Sequence, residues 1–226
     1  MKHLLDRPAW SALSTRHAAL AEGSRLAKRY PASIAPFAAT ENDDDESLRA
    51  LAELASPGAN LLLVMSDEVI LPAGLVTVSA ASAVQMIADQ PLENVADERI
   101  QELDKTDAAE MLALATLTKP GPFSLRAQSL GEFWGVKVEG RLIAMAGERM
   151  KQPGYTELSG VCTHPDFRGE GLGRLLSLYV AGKIFARGEQ PYLHAYATNT
   201  GAIALYASIG FRLRSSMNVT VVCRPD

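Results

Sequence analysis

This chain of 226 residues lacks a cysteine framework, histidines at metal-binding spacing and an excess of positive charge. Its two cysteines, Cys162 and Cys223, are too few for a secreted disulfide scaffold or a four-thiolate zinc site. The four histidines show no HExxH-like spacing, so we expect no metal. Lys and Arg number 22 against 26 Asp and Glu, and this acidic balance without a basic cluster argues against a nucleic-acid partner.

The N-terminus also lacks the long apolar core of a signal peptide. Residues 69–88 contain no charged residue and are long enough to span a bilayer. They include Pro72, Gly74 and several polar residues, however, and we interpret them as buried strands joined by a turn. We therefore expect a cytoplasmic protein with no membrane partner.

Length and composition are those of an ordinary globular protein, with 47% hydrophobic and 21% charged residues. A chain of this size forms one large domain or two small ones and needs no disulfide or metal to stabilise its core. The polar stretch Gln90–Glu98 is the preferred boundary. It divides the chain into a region of residues 1–95 and a region of residues 96–226.

The first region predicts two helices, over 8–22 and 47–55, the second following an acidic run. Apolar runs predict strands over 60–65 and 75–78, with a weaker one over 84–87. The layout of residues 61–78 resembles that of residues 133–150. Either the first region is a degenerate second copy of the same fold, or both segments are ordinary hairpins.

The second region has clearer periodicity, with strands that alternate with helices. A Glu139-Gly140 hairpin joins two of the strands. This alternation predicts an α/β or α+β fold with a mixed sheet. The predicted helices cover 106–117, 172–186 and 201–208, and the predicted strands cover 100–103, 133–138, 142–148, 155–163, 192–197 and 217–223.

The segment Thr163–Arg174 follows a strand, precedes a helix and carries three glycines, at 169, 171 and 173. Glycines let a ligand approach the backbone, and the free N–H groups of a first helical turn bind anions. Arg168 and Arg174 add positive charge, so a pyrophosphate fits the segment. Neither the Walker pattern nor the dinucleotide GxGxxG pattern is present, and a nucleotide site, a sugar-phosphate site or a ligand-free turn remain alternatives.

A second group of residues follows the strand predicted over 192–197. Asn199 and Tyr206 are seven residues apart, which places them on nearly one face of a continuous helix. Asn199 is either a ligand-binding residue or the cap of that helix, and Tyr206 is either functional or a half-buried core tyrosine.

Taken together, Arg168-x-x-Gly171-x-Gly173 and the downstream Asn199…Tyr206…Gly210-Phe211 resemble the GNAT superfamily of acyl-CoA-dependent N-acetyltransferases. The resemblance covers about residues 98–226, and the first region carries no comparable motif. It implies a mixed, mostly antiparallel central sheet flanked by helices. It also implies acetyl-CoA or another acyl-CoA as the co-substrate and no metal.

In that superfamily the sheet opens at its fourth strand, here 155–163, and the pantetheine arm lies in the gap like an added strand. The resemblance therefore implies that Asn199 lies along the pantetheine and that the pyrophosphate lies on the backbone of the glycine segment. The implied cofactor-binding residues are Val161, Cys162, Thr163, Arg168, Gly169, Glu170, Gly171, Leu172, Gly173, Arg174 and Asn199.

The implied chemistry is direct attack of an amine on the thioester, with Tyr206 donating a proton to the leaving thiolate. A general base is needed to deprotonate the amine. Glu157 is the first candidate for this base and His194 the second. For each of them, a purely structural role is the alternative. The acceptor is a small-molecule or peptide amine, and a homodimer is one option. The alternative is a catalytically silent module that binds acyl-CoA.

Overall fold

The computed structural model describes residues 3–93 and 95–225, which contain five α-helices and eleven β-strands. The helices are α1 (Pro8–Leu13), α2 (Asp45–Leu54), α3 (Ala108–Thr118), α4 (Leu172–Ala186) and α5 (Thr200–Ser208). The strands are β1 (Glu22–Gly23), β2 (Ala27–Arg29), β3 (Ala38–Thr40), β4 (Asn60–Met65), β5 (Val76–Ile87), β6 (Ile100–Leu103), β7 (Phe133–Val138), β8 (Arg141–Gln152), β9 (Tyr155–Thr163), β10 (Gln190–Tyr196) and β11 (Arg212–Cys223).

Eight strands form one mixed sheet in the order β4-β11-β5-β10-β9-β8-β7-β6. Every neighbouring pair in it is antiparallel except β9 and β10, which run parallel. The first three strands form a separate small antiparallel sheet. The large sheet, with helices packed against it, confirms the fold class expected from the sequence.

The two regions divided at residue 95 share this large sheet. β4 and β5 come from the first region, and β5 lies between β10 and β11 of the second. Backbone hydrogen bonds therefore join the regions across the middle of the sheet. Strands of both regions thus form one sheet, and the division at residue 95 stays a prediction.

The longest helix, α4, anchors the second region against the sheet. Leu172, Leu176, Val180 and Ile184 follow one another at four-residue spacing and are at most 2% exposed. They pack with apolar residues of β7 to β10 and of α5 in the largest hydrophobic cluster. At its C-terminal end, Gly188 adopts a positive φ of 74°, a common way to end a helix. The helix predicted over 172–186 is confirmed.

Alternate side chains of β8 point to opposite faces of the sheet. Ala144 and Ala146 pack in the cluster with α4, whereas Met145 packs with Met111 of α3. The helix α1 packs on β8 through a further cluster that includes Met150. The sheet is therefore covered on both faces, and β8 and β9 lie between two helical layers.

Two elements differ from their predicted limits. The helix predicted over 8–22 ends at Leu13, because Ser14 to His17 form turns before a short 3₁₀ helix, Ala18–Leu20. The strands predicted over 75–78 and 84–87 are one continuous strand, β5, since its pairing with β11 extends along its whole length. Within the described residues no helix is long and apolar enough to cross a membrane.

Candidate active site

The parallel strands β9 and β10 separate soon after they meet. Their pairing is confined to three residue pairs, from Gln190↔Tyr155 to Tyr192↔Glu157. Beyond Glu157, residues 158–163 of β9 have no strand partner on that side in the described structure, while β10 continues along β5. A strand edge of this kind leaves backbone N–H and C=O groups open to pair with an extended ligand.

A β-bulge accompanies this separation. Met145 pairs with Cys162 and Gly147 with Ser159, so β9 carries one extra residue between these two pairs. Gly160 lies in this insertion with a φ of 65°, and a Cβ there would lie 2.9 Å from a ring carbon of Phe133. A bulge bends a strand and increases its twist, and this one lies just after the point where β9 and β10 stop pairing.

The glycine segment lies directly after the open end of β9. Gly169 and Gly171 have φ values of 88° and 77°, and a Cβ at either position would meet nothing within 4 Å. The segment therefore needs glycine for its backbone conformation and faces open space. Gly171 is the N-cap of α4, and no side chain caps the helix.

The first turn of α4 has the properties of an anion site. Its leading N–H groups have no partner within the helix, and its dipole places positive charge at this end. No acidic residue lies in that turn. Arg168, Glu170 and Arg174 are exposed around it, and Arg174 pairs with Glu93 at 2.9 Å. Buried Leu172 fixes the turn to the core.

The strand and the segment are close in space. A Cβ at Gly173 would lie 3.9 Å from Thr163 Oγ1 and 3.8 Å from Leu205 of α5. Burial raises the pKa of the Cys162 thiol to about 11, so this side chain is a neutral thiol at pH 7. Cys162 is thus an inert core residue at the end of β9, as expected for a thiol in an apolar strand.

Tyr206 is 9% exposed on α5, with its ring edge against Phe211 at a centroid distance of 6.0 Å. Burial raises the pKa of its phenol to about 12, with a smaller contribution from nearby Cys162. Its hydroxyl makes no hydrogen bond to a described residue. Tyr206 therefore keeps its phenol proton at neutral pH.

Asn199 caps α5, since its side-chain oxygen accepts the Ala202 N–H at 3.1 Å. Asn199 also lines a cavity of about 140 Å³ together with Val161 and Tyr206. His194 lines it as well, so four of the residues singled out from the sequence are brought together. A larger and more open depression, of about 930 Å³, lies beside β6 and α3 and contains none of them.

Glu157 has surroundings that differ from those of a free base. It is completely buried, and Arg149 donates to both carboxylate oxygens, at 2.8 and 2.6 Å. His194 Nδ1 lies 2.7 Å from Glu157 Oε1. Although burial opposes the charge, Arg149 and His194 hold the pKa of this carboxyl well below its usual range. Glu157 is thus a poor proton acceptor in this arrangement, and the base role expected for it stays a prediction.

His194, the second candidate base, also has both ring nitrogens bonded. Gln85 Nε2 lies 2.9 Å from His194 Nε2 and donates to Leu5 O at 2.9 Å, and Gln85 Oε1 accepts from Arg214 at 2.8 Å. These neighbours fix the orientation of the Gln85 amide, so its NH₂ faces His194. The imidazole then accepts at Nε2 and donates from Nδ1 to Glu157, which leaves no free nitrogen.

Sequence reasoning missed the residues of the cavity that come from the first region and from β8. Phe37, Leu62, Val64 and Ala83 line it beside Arg149. The apolar residues belong to ordinary core patterns and carry no signal of a site. Arg149 does carry such a signal, because it is a charged residue in β8, a strand that is buried over most of its length.

One solved structure is similar to this chain in both sequence and fold over the full length. It is a GNAT-family protein from Novosphingobium aromaticivorans, with 41% identity, 100% of each chain covered and a TM-score of 0.94. The chain belongs to the GNAT superfamily. The model of the FR47-like protein family also matches residues 135–220.

More distant GNAT structures share the fold over nearly the whole chain. A GCN5-related N-acetyltransferase from Kribbella flavida has 16% identity, 96% of each chain covered and a TM-score of 0.62. A GNAT-family acetyltransferase from Colwellia psychrerythraea has 12% identity, 98% and 97% coverage and a TM-score of 0.54. Among the curated proteins, none matches this GNAT chain.

Proposed function

We propose that this protein transfers an acyl group, acetyl in the simplest case, from acyl-CoA to a primary amine. The main support for the proposal is the unpaired edge of β9, which lies next to the first turn of α4. That turn has no capping side chain. One surface accepts an extended chain with amide groups, and the other accepts a diphosphate. CoA carries both chemical features in one molecule.

The residues fit that co-substrate. The backbone of Val161, Cys162 and Thr163 would pair with the pantetheine amides, and Gly169 to Arg174 would hold the pyrophosphate. The open space in front of Gly169 and Gly171 leaves room for the phosphates. Asn199 already caps α5, so its side-chain oxygen is engaged, and we assign it a place in the wall near the thioester.

The proposed reaction takes place in one complex of protein, acyl-CoA and amine. The nitrogen lone pair attacks the thioester carbonyl carbon, the C–N bond forms and the C–S bond breaks. Tyr206 gives its proton to the thiolate, and a proton lost from the nitrogen restores the phenol through solvent. The products are an amide and free CoA, and no acyl-enzyme forms.

In the proposed reaction, water takes the proton from the ammonium group of the acceptor. An alkyl ammonium with a pKa of about 10 must lose a proton before it attacks. Glu157 and His194 have their acceptor atoms occupied, so neither takes that proton directly. In the proposal Glu157 positions Arg149 and His194, which both line the cavity.

A ligand comparison followed by a turnover assay tests the proposal. The first step measures thermal stabilisation of the protein by acetyl-CoA, a longer acyl-CoA, ATP and NAD. The second incubates acetyl-CoA with a panel of primary amines and follows free thiol. We expect stabilisation by acyl-CoA alone and thiol release only when an amine is present.

Each alternative gives a different result. Stabilisation by ATP or NAD instead of CoA would favour a nucleotide site at the glycine segment. Binding of acetyl-CoA without amine-dependent thiol release would favour the silent binding module. Either result contradicts the proposed transferase.

A further inference from the structure

Arg149 is held at the wall of the cavity with one end of its guanidinium unused. Its Nε and Nη2 donate to Glu157, and the Phe37 ring lies 4.7 Å from the guanidinium carbon. Nη1 makes no hydrogen bond to a described residue and is not among the fully buried unpaired atoms. With the side chain 14% exposed, Nη1 is the part of this ion pair that a ligand can reach.

A buried polar chain fixes this orientation. Asp6 pairs with Arg214, which donates to Gln85, and Gln85 bonds His194, which in turn bonds Glu157. Gln85 and Glu157 are completely buried. A buried polar group without a hydrogen-bond partner lowers the stability of the fold, and each side chain in this series has such a partner. The network therefore presents a guanidinium whose geometry is set before any ligand binds.

The charged residues that line the cavity have one sign. Lys119 and Arg149 line it, and no described Asp or Glu does. The rest of the wall has an apolar side that includes Phe37, Leu62 and Val64 and a polar side with His194, Asn199 and Tyr206. A volume of about 140 Å³ is well below the roughly 300 Å³ at the lower end of drug-sized sites, so the occupant is small.

We propose that the acceptor is a small apolar amino acid or a close analogue, with its carboxylate on Arg149 Nη1 and its alkyl group against Phe37, Leu62 and Val64. This inference rests on the proposed acyl transfer. A planar guanidinium suits a carboxylate, and a charge-assisted hydrogen bond is stronger than a neutral one. The positive walls also favour the uncharged form of the amino group, which is the form that attacks.

The test compares three matched series of acceptors on the wild-type protein. The first contains L-alanine, L-valine and L-leucine, the second their carboxamides, and the third the corresponding amines without the carboxyl group. Acetyl-CoA is held saturating and free thiol is measured. We expect kcat/KM for the preferred amino acid to exceed that of its amide and of its amine at least tenfold, since a charged hydrogen bond is lost.

A double variant, Arg149→Gln with Glu157→Gln, links that preference to the ion pair. It removes both charges together, so no unpaired charge stays buried. We expect the ratio of amino-acid to carboxamide kcat/KM to fall at least tenfold in the variant. The matched control Arg29→Gln removes an arginine that bonds Glu22 and Leu54 O away from the cavity, and its ratio should equal that of the wild type.

The ratio is measured within one protein, so a change in the amount of folded enzyme does not alter it. If the double variant does not fold, the three acceptor series measured on the wild-type protein are a sufficient test of the inference. Equal or better use of amides and amines would overturn the inference and leave the proposed transferase intact. Absence of transfer to all three amino acids would overturn it as well. Failure to bind acetyl-CoA would instead overturn the proposed function.

Discussion

The two ends of the candidate site are built in opposite ways. The glycine segment, residues 168–174, is continuous in sequence, largely exposed and offers mainly backbone groups. The cavity is partly open and is lined by residues of β4, β5, β8, β9, β10, β11 and α5, together with Phe37 and residues 119–122. A local stretch of chain is therefore enough to specify the first end, whereas the second exists only in the folded sheet.

Because of this difference, substitutions at the two ends should have different effects, on ligand binding at the first and on folding at the second. Side chains around the glycine segment are exposed, so changing them affects a ligand more than the fold. The buried residues that support the cavity belong to the core network, and changing them affects the fold first. The predictions below test this separation, beginning with the largest expected effect.

Glu157→Gln should destabilise the protein by about 3–5 kcal/mol, because it leaves the buried Arg149 guanidinium without its counter-charge. Urea unfolding at pH 7 measures the change. Glu170→Gln is the matched control in the exposed segment and should leave the unfolding free energy within error. Equal stability of both variants would show that the two ends do not differ as described.

The same carboxylate predicts a loss of stability in acid. Because the pKa of Glu157 is lower in the folded than in the unfolded chain, unfolding takes up a proton at acidic pH. Its contribution is therefore complete above about pH 5 and decreases as the pH falls below that value. Urea midpoints measured from pH 7 to pH 4 should fall more steeply for the wild type than for Glu157→Gln. Parallel curves would contradict this assignment.

Gly171→Glu should raise the Kd for acetyl-CoA by about 100-fold or more, since a carboxylate would take the place of the diphosphate and the left-handed backbone would be strained. Gly140→Glu is a close control, because Gly140 also has open space around it and a φ of 78°. Calorimetric titration of both variants measures the effect. Retained tight binding in a folded Gly171→Glu protein would exclude the segment as the diphosphate site.

Tyr206→Phe should lower kcat at least tenfold and leave acetyl-CoA binding unchanged, because only the proton donor is removed. Tyr179→Phe removes a hydroxyl from another tyrosine packed edge-on against an aromatic ring, at 5.9 Å from Trp134. It should retain wild-type turnover. Equal rates for the wild type and Tyr206→Phe would remove Tyr206 from the acid role.

Arg174→Ala should have the smallest effect, a rise of about threefold in the Kd for acetyl-CoA that disappears at high salt. Its guanidinium is exposed and shared with Glu93, so it contributes a screened charge. Arg25→Ala removes an exposed arginine of the first region and should bind normally. A large, salt-independent loss for Arg174→Ala would indicate a direct and specific contact.

The sequence predicted the elements of the second region well because their signals are local. Strand β9, helix α4 and the cap Asn199 depend on runs, spacing and a single side chain. The shared sheet was not predicted, because the place of β5 beside β10 depends on residues more than 100 positions apart. The partners of Glu157 could not be predicted for the same reason, since Arg149 and His194 reach it only in the folded sheet.

The position of β5 also has a consequence for how the protein folds. During synthesis β5 cannot pair until β10 and β11, which follow it by more than 100 residues, have also been made. Such long-range pairing slows folding and leaves an unpaired apolar strand exposed during synthesis. Truncation before β11 should therefore yield an aggregating chain, whereas separately produced halves cut between β5 and β6 should assemble only with each other.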